Sequence, residues 1–215
     1  MNIKRGKIMN IKIKQWFFTL LSCLISVSAF SGLALASEFT ADSVMKGSQM
    51  SGKGKVWVKG NKMRQEFGDQ SGTVITIVDL DQGMSWVLMP EAKGYMKIVL
   101  KTKGKSFRPD NFIGAQQGQM KAQVKLVGTE TVNDYACDKY LITFEHKKMG
   151  GMTQWFAKKL GYPIKIIFKS PQMGEVVTEL ENISKKDVSD DLFRIPKGYK
   201  ELQQPNIPQM PAKKR

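Results

Sequence analysis

Catalysis needs converging nucleophiles, bases or metal ligands, and this 215-residue sequence offers few of them. Its one histidine, His146, opens the turn Lys147-Lys148-Met149-Gly150-Gly151, a setting that suits a solvated loop residue better than a general base. One histidine and the single cysteine in the body of the chain, Cys137, cannot complete a zinc site. Asp79 and Asp81 flank Leu80 in a turn that loosely resembles a calcium loop, yet the run of oxygen ligands such a loop requires does not follow. Glycine-rich phosphate loops and nucleophile elbows do not occur. The sequence therefore reads as non-enzymatic, with no catalytic residue, no cofactor and no metal.

Soft apolar side chains are plentiful instead. Eleven methionines follow residue 36, and Met45, Met63, Met84, Met89, Met96 and Met152 fall in strand-like runs. The stretch "MSWVLMPEAKGYMKIVL", residues 84–100, reads as two strands joined by a loop from Pro90 to Gly94. Side chains alternate across a strand, so Trp86 and Leu88 point one way and Val87 and Met89 the other. Both sets are apolar, so both faces need a cover. "PIKIIF" has the same character. A curved sheet with a flexible apolar inner face suits ligands of imprecise shape, such as acyl chains. Each buried methylene contributes about 0.8 kcal/mol, so about fifteen of them supply roughly 12 kcal/mol gross, against about 8 kcal/mol for micromolar affinity. A charged anchor is not needed.

The elements that position such a surface follow a leader. Residues 1–36 carry Lys4, Arg5, Lys7, Lys12 and Lys14 and no acid, then an apolar run ending in Ala34-Leu35-Ala36. This is the pattern of a signal peptide cleaved after Ala36, and it implies a periplasmic location. Cys23 as a lipid-bearing terminus is the alternative, and "MNIK" at both Met1 and Met9 leaves two possible starts. Beyond the leader, 29 basic residues face 19 acids, a net +10. Export argues against nucleic acid as the partner of these charges, and the nearest basic cluster, Lys97, Lys101, Lys103, Lys105 and Arg108, lacks interleaved aromatics. With Cys137 alone remaining, no intramolecular disulfide can form, and a buried apolar cysteine is expected.

From Phe39 onward, β-rich runs broken every eight to twelve residues or so indicate about nine or ten antiparallel strands. Asn133-Asp134 marks a tight hairpin. Ser189-Asp190-Asp191 can cap one helical turn. Residues 101–120 lack alternation and read as a long loop, with a short helix near Asn111–Gln117 and Phe112 and Ile113 as lid residues. The domain is expected to span residues 37–203, followed by a disordered basic, Pro-rich tail over 204–215.

The segments "GKVWVKGNKMRQEF", "IVDLDQGMSWVLMPEAKGYMKI", "GTETVNDYACDKYLITF", "QWFAKKLGYPIKI" and "DLFRIPKGYKEL" resemble, in order, the LolA-like periplasmic family, in its outer-membrane lipoprotein-sorting branch. None is a catalytic signature, so the resemblance speaks to fold before activity. It implies a mainly β fold with little helix: a strongly curved antiparallel sheet, an unclosed half-barrel under a short helical or loop lid. It also implies a concavity for lipid or lipoprotein acyl chains, or an envelope protein as partner, with only transient membrane contact. Val56, Val58, Met63, Phe67, Trp86, Leu88, Met89, Tyr95, Met96, Ile98, Trp155 and Phe168 are the expected lining residues. Gly60 after Val58-Lys59 departs from the family, where an arginine helps latch the lid.

Overall fold

The computed structural model describes residues 37–49, 51–69, 72–100, 109, 122–146 and 149–202. The leader with Cys23, the lid candidates Phe112 and Ile113, most of the nearest basic cluster, residue 203 and the tail over 204–215 lie outside them. The described residues form one open sheet: β1 (Glu38–Gly47), β2 (Gly52–Lys59), β3 (Lys62–Asp69), β4 (Gly72–Asp79), β5 (Met84–Met89), β6 (Gly94–Val99), β7 (Ala122–Val132), β8 (Tyr135–Phe144), β9 (Gly151–Ala157), β10 (Tyr162–Ser170), β11 (Gly174–Ser184) and β12 (Lys200–Glu201). Their order is β12-β6-β5-β4-β3-β2-β1-β11-β10-β9-β8-β7. Two antiparallel meanders are thus joined where the first long strand, β1, pairs with the last, β11. β12 alone runs parallel to its neighbour. This is the unclosed half-barrel expected, with twelve strands rather than nine or ten.

Local chemistry sets the turns. Asn133 and Asp134 take φ of 46° and 63°, the left-handed pair of a two-residue hairpin. Between β5 and β6, Pro90–Ala92 make a 3₁₀ turn that Lys93 ends in the left-handed region. Ser189 caps a second 3₁₀ turn, Asp190–Phe193, by accepting from the Asp191 amide at 3.3 Å.

Curvature is visible in which strands meet. Phe39 of β1 and Tyr162 of β10 stack edge to face with centroids 5.7 Å apart, although β11 lies between their strands. Gln65 of β3 and Ile166 of β10, with three strands between them in the sheet order along β2, β1 and β11, line one small cavity. Two devices allow such bending. Register shifts fall at Thr40/Asp42, Leu126/Gly128 and Pro163/Lys165, where an extra residue kinks one strand against its neighbour. Gly54, facing Phe67 across the β2–β3 ladder, lets the two backbones close to a distance at which a Cβ would stand 2.1 Å from the Glu66 carbonyl oxygen.

The concave face carries the main core, including Phe39, Val56, Val58, Phe67, Ile142, Met152, Ile164 and Ile166, all nearly or fully buried. Each such side chain contributes roughly 1.5–3 kcal/mol. A second, smaller core lies on the opposite face: Ile75, Ile77 and Leu88, with half-buried Trp57, Trp86 and Tyr95, beneath Val188, Leu192, Phe193 and Tyr199. Residues 188–202 thus form a strap over the convex side of β2–β6.

Polar contacts hold the strap in place. Arg64, nearly buried, donates from Nη1 to the Leu192 carbonyl at 2.9 Å and from Nε to Glu66 at 2.8 Å. Lys59 reaches the Val188 carbonyl at 3.0 Å and Asp190 at 3.1 Å, with Lys62 on the other Asp190 oxygen at 3.4 Å. At its end, the Lys200 and Leu202 amides donate to Lys93 and Tyr95, and Leu202 fills the space over Gly94.

The hydrogen bond from Lys59, then the nearby charges of Lys59 and Lys62, hold the Asp190 carboxyl below its ordinary range. A depressed folded pKa contributes stability that is fully present above the unfolded value, about 3.9, and is lost as pH falls through the folded one. Hydrogen-exchange protection of residues 188–194 is therefore expected to hold from pH 7 to about 5 and to fall below about pH 4. Asp190→Asn should remove that step. Glu130, also lowered, first by its hydrogen bond from Lys139, titrates at a distant point and leaves the strap signal unchanged.

Candidate functional site

The expected lining residues divide between the two faces. Ladder pairing and alternation place Val56, Val58, Met63, Phe67, Met89, Met96, Ile98 and Phe168 on the concave side. Six of these belong to the main core or pack against it: Val56, Val58, Met63, Phe67, Phe168 and Ile98. Met89 and Met96 are half-buried. Trp86, Leu88 and Tyr95 sit on the convex side under the strap. The structure therefore does not bring these three together with the concave set.

Trp155, buried and a member of the main cluster, alternates along β9 with the concave residues Gln154 and Phe156 and turns its indole N–H to the other side. Its indole N–H donates to Glu130 at 2.6 Å, and the ammonium groups of Lys139 and Lys165 stand 5.0 and 5.8 Å from its ring. Lys139 closes on the same Glu130 carboxylate and Lys165 on Glu179. This tie runs across the outer surface of β7 to β11.

Alternation alone did not reveal a row of neutral polar residues across the concave face. Ser43, Gln65, Thr76, Ser85, Gln154 and Thr178 are each no more than 5% exposed. The short stretches around them, such as "MRQEF", read as ordinary half-solvated strands. Ser43, Gln65 and Thr178 line a cavity of about 10 Å³ with Val56, Leu180 and the β10 residues Tyr162 to Ile166. That is close to the room one water needs. Gln65 Nε2 lies 3.4 Å from Ser43 Oγ, and Gln65 Oε1 has no hydrogen-bond partner among the described residues.

The groups with catalytic potential have other occupations. Asp79 accepts from the Gln82 amide at 2.9 Å and from its side chain at 2.8 Å, while Asp81 accepts from Asn61 at 2.6 Å, so both carboxylates lock turns. His146 is exposed. Among the described residues no group of three or more His, Cys, Asp and Glu could hold a metal ion. Cys137 is fully buried, as expected, and burial pushes its thiol up to about 11. At pH 8 a thiol-alkylating reagent is expected to modify it only after denaturation, as read by intact mass. Rapid labelling located at Cys137 by peptide mass in the folded protein would contradict that placement.

The profile described as "Domain of unknown function (DUF4412)" matches residues 39–161 and 149–199. The chain belongs to the DUF4412 family. Among curated proteins none matches the sequence of this DUF4412 protein. Among solved structures, an uncharacterized conserved protein from Thermus thermophilus is similar with TM-score 0.53 and 11% identity, over 79% of this chain and 92% of that one. PNGF-II is similar with TM-score 0.52 and 11% identity, over 79% of this chain and 31% of that longer one. A LolA superfamily protein from Nitrosomonas europaea, NE2245, is similar with TM-score 0.35 and 13% identity, over 80% and 96% of the two chains. These likenesses concern fold. The described residues of the DUF4412 chain form one open sheet, and among them no helix is long and apolar enough to cross a membrane.

Proposed function

We propose that this protein is a non-catalytic, exported binding protein of the cell envelope that carries a hydrophobic ligand, a lipid or a lipoprotein acyl chain, against the concave face of its half-barrel. The observation that carries the reading is the makeup of that face. One apolar cluster draws side chains from both meanders around the neutral polar row, and its periphery holds half-buried methionines, among them Met96, Met149 and Met173. Such side chains repack around a guest at low cost. The leader read in residues 1–36 supports a periplasmic location. Val56, Val58, Met63, Phe67, Met89, Met96, Ile98 and Phe168 are the proposed contacts.

Native mass spectrometry of protein purified from its own compartment tests this. A co-purifying lipid mass is expected, together with saturable uptake of an acyl probe at micromolar or tighter affinity after delipidation. Absence of both would overturn the reading.

A protein partner is the second reading, and the β7–β8 hairpin favours it. Leu126, Val127 and Leu141 are 54, 45 and 43% exposed there, and among the described residues β7 is the last strand of its edge. A stoichiometric partner that is lost on Leu126→Lys, from a protein that binds no lipid, would decide for it.

A further inference from the structure

We infer that the concave face selects a neutral amphiphile bearing a hydrogen-bond donor, a hydroxyl or an amide N–H, over a fatty acid or a bare hydrocarbon. The inference rests on the hydrophobic-ligand reading above and names the class of ligand. Gln65 is 3% exposed and lines the small cavity, and its Oε1 has no partner among the described residues. A buried carbonyl oxygen without a donor is costly, so a ligand that brings one gains affinity there. At about 10 Å³ the space admits one polar heavy atom and not a headgroup.

Charge narrows the class further. The polar residues around this point, Ser43, Gln65 and Thr178, are all neutral. Lys165 also lines the cavity, but its ammonium lies 3.1 Å from Glu179, beside the Trp155 ring. Arg64, the nearly buried cation next in sequence, belongs to the strap on the convex side. A carboxylate or phosphate brought to Gln65 would find neutral donors in Gln65 Nε2 and the Ser43 and Thr178 hydroxyls, but no cation other than the paired Lys165 and nothing of its own to donate to Oε1, whereas a hydroxyl or amide N–H donates directly to Oε1.

The test compares dodecanol, methyl laurate and laurate on delipidated full-length protein, with Gln65→Leu and Gln65→Met variants whose folding is checked by melting. These probes share a similar chain and differ in donor and charge. Dodecanol is expected to bind the natural protein about tenfold more tightly than either of the others, the worth of one buried hydrogen bond. Both variants should bind all three probes alike. Equal binding of the three to the natural protein overturns the inference and leaves the hydrophobic-ligand reading standing; it is also the result if a water keeps the site in every complex. Preference for laurate or methyl laurate, or a dodecanol preference that survives in both variants, overturns it in the same way. If no probe binds at all, the hydrophobic-ligand reading falls and takes this inference with it.

Discussion

Gly54→Ala is expected to destabilise the fold by about 3 kcal/mol, lowering the melting temperature by roughly 6–12 °C. Unfolded-chain entropy argues for the opposite sign, since replacing a strand glycine by alanine ordinarily stabilises by about 0.4–1 kcal/mol. Sterics decide the matter. The added carbon would lie 2.1 Å from the Glu66 carbonyl oxygen and 3.1 Å from the Phe67 Cα, so the obstacle is backbone and not the end of a flexible side chain. Relief requires β2 and β3 to separate, which loosens the bend on which the concave face depends. Gly60→Ala is the control. Nothing lies within 4 Å of its Cβ position, and only its φ of 56° is unfavourable, which costs about 1 kcal/mol. Equal melting shifts for the two variants would show that the close approach at Gly54 is not a constraint.

Phe39→Ala should be more damaging still, at about 3–5 kcal/mol. Phe39 is fully buried on the first strand, and its ring meets Tyr162, itself buried with its hydroxyl pKa raised by burial. Beyond lost burial, the aromatic pair contributes about 0.5–1.5 kcal/mol, and a double cycle with Tyr162→Leu should recover that coupling. Additive losses would show that the two rings act independently. Both variants are to be compared by chemical denaturation, where an unchanged slope separates lost stability from a changed unfolded ensemble.

Much of this fold was legible from local signals. The hairpin at 84–100 follows from alternation and from Pro90 to Gly94, the β7–β8 turn from Asn133-Asp134, and the turn at 190–193 from the Ser189 cap. Alternation also separates Trp86 and Leu88 from Val87, but it does not say which set looks into the curve. That choice depends on the strap, whose contacts with β3 span about 128 residues of sequence. Trp155 was unreadable for a similar reason, because Lys139, Lys165 and Glu130 come from three other strands. β12 has two residues and therefore no period to detect. The neutral polar row was hidden because buried Gln65 and solvent-facing Gln look alike in sequence, and only curvature makes one of them interior.

The junction of β1 with β11 has a consequence for how the chain is born. Asp42 and Asn182, hydrogen-bonded across that junction, are 140 residues apart. At about 5–20 residues per second, β1 leaves the ribosome on the order of ten seconds before the strand that must lie beside it. During that time each meander can zip by short hairpins, while the β1 edge with Phe39, Ala41 and Met45 stays unpaired. The pairing of β1 with β11 is a long-range closure, of the kind that is slow by topology. A chain that completes its sheet only when its final long strand is available remains open to threading for most of its synthesis, and through the same interval it depends on whatever shields that edge.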